Sequence, residues 1–185
     1  MKAPSKSKIV AYLQAPRPQT TGQKWFTSVL QGKLPFLVIF SVLYGIVFIN
    51  YIDIITAGGA IYGYHLWLVL MYFLPFAGFS VLNLRNWKLT IALGLLASLM
   101  NDVFYGLTKY LIGIPYDLTH YYSNWLIPQN THLFNLNLGF TVLPVYSWMM
   151  ALSIYGRIIP IFLLLLSWKK QAKNGASALN EKIEI

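Results

Sequence analysis

The sequence predicts an all-α integral membrane protein whose core is a four-helix transmembrane bundle. Apolar residues make up 57% of the 185 residues and charged residues only 10%, whereas a soluble domain is about one quarter charged. Four long apolar segments lie between residues 34 and 168. The basic residues flank these segments, which is typical of a multi-pass membrane protein.

Residues 1–33 form a polar, basic arm that we expect to lie in the cytoplasm. Three prolines within its first 18 positions prevent one long helix. Residues 24–30 fit a short interfacial helix, with Trp25 and Phe26 as membrane anchors. No apolar core follows the first basic residues closely, so the arm does not resemble a cleavable signal peptide.

The apolar segments predict four membrane spans, at about residues 34–51, 61–84, 89–112 and 145–168. Each is close to the length that a bilayer core of about 30 Å requires. The last span is the least simple, because residues 136–168 are largely apolar over 33 positions, which is too long for one crossing. Pro144 offers a break. We therefore expect a structured outer loop over 113–144 that ends in an interfacial or re-entrant segment.

Membrane orientation follows from the positions of the lysines and arginines. Six of the 14 lie in the N-terminal arm, two lie in the tight loop between the second and third spans, and four follow the last span. Four crossings put these 12 on one side, which the positive-inside rule assigns to the cytoplasm. Lys109 and Arg157 are the exceptions. We expect a cell-membrane protein with both termini cytoplasmic, including the tail over residues 169–185.

Asp102 and Arg157 are the clearest signals inside the predicted spans. Both lie near the centre of the bilayer, where one unpaired charge costs at least about 2.5–3.5 kcal/mol. Counted along their helices, their depths differ by about 4.5 Å, which an arginine side chain covers. We therefore expect the two side chains to form an intramembrane pair.

Polar residues at helical spacing accompany this pair. One face of the third span carries four of them, Ser98, Asn101, Tyr105 and Lys109. On the last span, Ser153 shares a face with Arg157. Such a stripe cannot comfortably face lipid. Two interpretations stay open: a buried pair that fixes helix register, or a substrate or proton path in which Asp102 is the catalytic acid or the coupling residue.

A second polar group is expected at the outer surface of the bundle. Its members are Asn50, Asp53, His65, Asp117, His120 and His132. Aspartate and imidazole together suit a divalent metal such as zinc or copper, and they also suit general acid–base catalysis. The simpler interpretation is that the aspartates cap helices or face water and that the histidines lie at the headgroup level. Both interpretations stay open.

Several chemistries are excluded by what the chain lacks. It contains no cysteine, which removes disulfides, thiolate metal sites and cysteine nucleophiles. It has no Gly-rich phosphate loop, no G-x-S-x-G and no H-E-x-x-H motif. The net charge of +9 does not indicate nucleic-acid binding, because the basic residues lie beside apolar spans.

Three functions are compatible with these features. The first is a non-catalytic membrane protein, either an accessory or structural subunit of a membrane complex or a small-ligand binding protein. Its partners would be the lipid bilayer and other membrane subunits or further copies of the chain. The second is a membrane enzyme, oxidoreductase-like if it holds a metal, with an outward-opening Asp/His site. The third is a proton-coupled transporter that uses Asp102 and must oligomerise, since four helices are few for a monomeric carrier.

Overall fold

The computed structural model describes residues 20–56, 64–137 and 141–180. Several predicted features lie outside these residues: the arm over 1–19, the loop over 57–63 and the end of the tail over 181–185. The side chain of His65 also lies outside the description. Over the described residues the protein is mostly helical, as the sequence predicts, with one small β-hairpin.

Helix α1 (Thr21–Gly32) occupies the end of the predicted basic arm. Thr20 begins it with a capping box: the Thr20 hydroxyl accepts from the N–H of Gln23, and the Gln23 side chain accepts from the N–H of Thr20. Thr27 and Leu30 face inward and are buried. The arm therefore ends in a helix that is longer than the interfacial segment expected there, and this helix packs on the bundle.

Helix α2 (Leu34–Thr56) contains a π-helical segment at Tyr44–Ile49. At its end, the N–H of Asn50 bonds to the carbonyls of the residues on either side of Ile46 and not to that of Ile46. Single turns of π-helix inside an α-helix are frequent at functional sites. This one lies in the middle of a helix that the sequence predicts as a regular span.

Gly45 lets α2 pack closely against helix α4 (Trp87–Leu111). A Cβ at this position would overlap the carbonyl oxygen of Ala97, so the two backbones approach as closely as only glycine allows. Nearby, the Ser41 hydroxyl donates to the Leu93 carbonyl at 2.7 Å. The contact between α2 and α4 is therefore set by backbone as much as by side chains.

Helix α3 (Tyr64–Leu82) and α4 form an antiparallel helical hairpin joined by a short 3-10 turn at Leu84–Asn86. The central helix of the bundle is α4. Half of its most apolar stretch is buried inside the protein. The corresponding share is 22% for α2 and 17% for the last helix, α6 (Ser147–Asn180). The other helices pack around α4, and their outer faces stay exposed.

Between α4 and α6 lie helix α5 (Leu118–Leu126) and two antiparallel strands, β1 (His132–Asn137) and β2 (Val142–Tyr146). This β-hairpin corrects the expectation of an all-α chain, because it lies where the sequence predicts an interfacial or re-entrant segment. Apolar and polar residues alternate over the last four positions of β1, residues 134–137, which favours a strand. Pro144 cannot donate a backbone hydrogen bond, but a two-stranded sheet tolerates it because both strands are edges.

Helix α6 is continuous from Ser147 to Asn180 and includes Pro160. It continues past Trp168, where the last span is expected to end, into the predicted tail.

We call the end of the bundle near α1 the α1 end. The opposite end, near β1 and β2, is the hairpin end.

Three of the described helices are long and apolar enough to cross a membrane, at Leu34–Thr56, Leu84–Leu111 and Ser147–Asn174. A shorter apolar stretch, Trp67–Leu82, lies in α3. Large apolar side chains are exposed on all of these helices. The fold is therefore compatible with a membrane location.

Candidate functional site

The Asp102 side chain on α4 and the Arg157 side chain on α6 form an ion pair. Nη2 of Arg157 donates to Oδ2 of Asp102, and Nη1 donates to the Ser98 hydroxyl at 2.5 Å. Nε donates to the main-chain carbonyl of Ser153 at 2.9 Å. Both charged side chains are largely buried. Three nitrogens of the guanidinium thus have protein acceptors, and the pair joins the two helices.

Tyr121 on α5 contacts the backbone beside this pair. Its hydroxyl donates to the Asp102 carbonyl oxygen at 2.5 Å, and its ring lies where a Cβ at Gly106 would overlap it. Burial, with a further contribution from the Asp102 charge, raises the pKa of Tyr121 well above its usual range. The hydroxyl therefore stays protonated at neutral pH and remains a donor, and it fixes α5 to α4.

Asn101 is the centre of a second hydrogen-bonded group, which joins three helices. Its Oδ1 accepts from the Tyr72 hydroxyl on α3 at 2.6 Å. Its Nδ2 donates to Oδ1 of Asn50 and, at 3.3 Å, to Oδ2 of Asp53, both on α2. Asn50 in turn donates to the Thr108 hydroxyl on α4 at 3.0 Å. Asn50 and Asn101 are fully buried, so these bonds satisfy groups that would otherwise be costly to bury.

The π-helical segment of α2 takes part in the same group. The Thr108 hydroxyl is 3.4 Å from the carbonyl oxygen of Ile46, the carbonyl that the N–H of Asn50 does not use. The change in helix geometry thus leaves a main-chain acceptor for a side chain of α4. This gives the π-helical segment a local role in the network.

Lys109 lies at the hairpin end of the polar stripe. Its ammonium is 4.5 Å from the ring centroid of Tyr116 and 5.6 Å from that of Tyr105, distances at which a cation is attracted by an aromatic face. The four polar residues predicted on this face of α4 are thus all found in polar or cation–aromatic contacts near Asp102.

These residues form what we call the polar network, which occupies the hairpin-end half of the bundle: Asn50, Asp53, Tyr72, Ser98, Asn101, Asp102, Thr108, Lys109 and Arg157. The α1-end half contains an apolar core, made of Leu30, Leu37, Phe76, Leu89, Leu93, Ala97 and Trp168, and the polar side chains that are buried there, such as Asn86 and Thr90, are uncharged. Along α4 the apolar core ends at Ala97 and the polar network begins at Ser98. The ion pair and the amides joined to Asn101 therefore lie in the hairpin-end half.

A separate polar cluster, not predicted from the sequence, holds α1 on the bundle. Asn86 Oδ1 accepts from the indole N–H of Trp168 at 3.0 Å and lies 3.4 Å from the Thr27 hydroxyl. Asn83 donates to that hydroxyl at 3.0 Å. Asn83 also caps the 3-10 turn through the N–H of Arg85. The sequence could have indicated only the cap that Asn83 provides at the start of this turn, because Thr27 and Trp168 lie far from Asn83 and Asn86 along the chain.

Asp117 and His120 have local partners at the start of α5. The Asp117 side chain caps the helix by accepting from the N–H of His120 at 2.9 Å. The His120 ring pairs with the Asn124 side chain at 3.0 Å, one turn further along the helix. The cap agrees with the simpler of the two interpretations of Asp117.

The other members of the predicted metal group do not join them. The His132 ring lies 3.0 Å from Oδ1 of Asn135 and packs on Tyr146 in the β-hairpin, whereas Asp53 belongs to the polar network. Among the described residues, no three His, Asp or Glu side chains come together as metal ligands do. The zinc or copper site stays a prediction, because the side chain of His65, the remaining member of the predicted metal group, lies outside the described residues.

Two members of the polar network, Tyr72 and Thr108, were missed from the sequence. A tyrosine in a long apolar segment resembles a membrane-interface anchor, and nothing local indicates that its hydroxyl turns inward. Thr108 does carry a signal, because it lies two helical turns from Asn101 on the polar face of α4.

The chain was compared with models of protein families, with curated proteins and with solved structures, and it matches none of them.

Proposed function

We propose that this chain is a multi-pass protein of the cell membrane, a four-helix transmembrane bundle with both termini in the cytoplasm, and that it serves as a non-catalytic structural subunit of a membrane complex. The observation that carries the subunit role is the mutual pairing of the polar network. Buried charges and amides that satisfy one another fix how helices pack, and they leave little for a substrate.

The four-span topology is supported by the length and placement of α3. Its 19 residues extend about 28 Å, close to the thickness of a bilayer core. The short turn at Leu84–Asn86 joins α3 to α4 as an antiparallel neighbour, which supports the proposal that both helices cross. Exposed apolar side chains along α3, such as Leu74 and Val81, would face lipid.

The alternatives are less well supported by the same contacts. A transporter needs access to its coupling residue from both sides, but Asp102 is held by Arg157, and an apolar core lies between Asp102 and the α1 end. An enzyme of the predicted Asp/His type needs its ligands or its acid and base together, but Asp117, His120 and His132 have separate local partners.

The surface of α6 is the best placed for a neighbouring subunit. Only 17% of its most apolar stretch is buried inside the protein, which is the smallest share among the three long apolar helices described. Its exposed side chains include Leu152, Ile159, Phe162 and Leu163. Lipid covers such a face equally well, so the two cases need an experiment.

Photo-cross-linking in native membranes tests the subunit role. We expect Phe162→p-benzoylphenylalanine to give one discrete protein adduct, either a second subunit or a second copy of the 21.1 kDa chain. The same adduct should persist after purification in mild detergent at fixed stoichiometry. Leu84→p-benzoylphenylalanine, in the α3–α4 turn, is the control and should not give the same band. Lipid adducts alone, with a strictly monomeric particle, would rule out the proposed role.

A further inference from the structure

The α1 end of the bundle concentrates positive charge. Seven of the nine basic residues that the structure describes lie there: Lys24, Lys33, Arg85, Lys88, Lys169, Lys170 and Lys173. The three described acidic residues, Asp53, Asp102 and Asp117, all lie in the hairpin-end half. Among the described residues, the α1 end therefore has no carboxylate to balance its charge, and it favours an anionic partner.

Helix α1 presents two different faces at this end. Thr27 and Leu30 are turned into the bundle and buried, which fixes the rotation of the helix. The opposite face carries Trp25 and Val29, one turn apart and 67% and 39% exposed. An amphipathic helix with exposed tryptophan and flanking lysines is typical of a segment that lies in the headgroup layer.

The other basic residues of the α1 end are brought to the same level by α4 and α6. Nζ of Lys88, at the start of α4, donates to the Ser167 hydroxyl of α6 at 2.7 Å. Directly beyond Ser167, Trp168 belongs to the same buried apolar cluster as Leu30 of α1. The exposed lysines at 169, 170 and 173 follow on the same unbroken helix. Three separate parts of the chain thus place their cations where the apolar helices end.

We propose that the α1 end binds anionic phospholipid headgroups, with α1 lying along the membrane surface. A lipid surface fits better than a soluble anion because it engages both features at once. Its phosphates attract the lysines, while its acyl boundary accommodates Trp25 and Val29. Exposed Trp87 beside Lys88 adds a second interfacial anchor. This inference rests on the membrane insertion proposed above.

Lipid binding is measured on the full chain, purified in a neutral detergent and stripped of native lipid. Short-chain phosphatidylglycerol and phosphatidylcholine are titrated separately, and bound lipid is counted by native mass spectrometry. We expect phosphatidylglycerol to bind more tightly, and the combined substitutions Lys24→Gln, Lys33→Gln, Lys169→Gln and Lys170→Gln to weaken it by at least about tenfold. Lys109→Gln removes one charge at the hairpin end and should leave binding unchanged. A thermal melt checks that each variant is folded.

Three outcomes would overturn the lipid assignment. They are equal binding of the two lipids, an equal loss in Lys109→Gln, and full competition by inorganic phosphate at the lipid concentration, which would indicate a soluble anion. Membrane insertion is scored separately, by resistance to extraction from native membranes at alkaline pH. A chain that is extracted contradicts the proposed function, whereas a chain that is retained without preference for phosphatidylglycerol contradicts only the lipid inference.

Discussion

Arg157→Met is expected to lower the free energy of unfolding by about 3–5 kcal/mol, the range seen when one partner of a buried ion pair is removed. Methionine keeps most of the side-chain volume, so the loss comes from the Asp102 carboxylate, which is left without its cation, and from the Ser98 hydroxyl, which loses its donor. Reversible unfolding in mild detergent, followed by helical circular dichroism, measures the change.

A matched control and a double variant separate the pair from general loss of charge. Lys109→Met also removes one cation near α4, but its contacts are with aromatic rings, and we expect a loss below about 1 kcal/mol. Asp102→Leu with Arg157→Met removes both charges and should recover much of the stability. Asp102→Leu alone completes the comparison. If the loss of stability in the double variant equalled the sum of the losses in Arg157→Met and Asp102→Leu, the two residues would not be coupled.

Gly45→Ala is expected to destabilise the bundle by about 1–3 kcal/mol or more, as overpacking does in tightly packed interiors. The added Cβ would overlap the Ala97 carbonyl oxygen. A backbone atom in a helix cannot rotate away, so α2 and α4 must separate, and the bonds of Asn50 and Asn101 would lengthen with them. The same unfolding measurement applies.

Gly78→Ala on α3 is the matched control for this substitution. A Cβ at Gly78 meets nothing within 4 Å, and alanine stabilises a helix relative to glycine by about 0.5–1 kcal/mol. We expect Gly78→Ala to be neutral or slightly stabilising. A Gly45→Ala protein as stable as Gly78→Ala would show that α2 and α4 are not in close backbone contact.

The sequence predicts those features of the molecule that follow from the cost of exposing apolar segments to water and of burying unpaired charges. Long apolar segments must be covered by lipid or protein, and they became the long helices. Asp102 and Arg157 share the interior of one bundle, where each charge needs a partner, so their pairing was expected from cost and depth alone. The cap at Asp117 is equally local, since a short polar side chain before a helix has few other uses.

The features that were missed depend on how helices rotate against one another. Asn50 and Tyr72 reach Asn101 only because α2 and α3 turn those faces toward α4, and hydropathy carries no information on rotation. The π-helical segment at Tyr44–Ile49 has no composition of its own. The β-hairpin was predicted as an interfacial or re-entrant segment because its apolar residues continue into α6. The alternation over four positions of β1 is a weaker signal than this long apolar run.

Cysteine accessibility in intact cells tests the four-span bundle most directly, because the chain has no cysteine of its own. Four exposed positions are substituted one at a time: Ser28→Cys, Leu84→Cys, Asn130→Cys and Asn174→Cys. A membrane-impermeant maleimide should label Asn130→Cys from outside, and the other three only after permeabilisation. If α3 does not cross, Ser28→Cys and Asn174→Cys will report opposite sides of the membrane, and the four-span bundle is wrong.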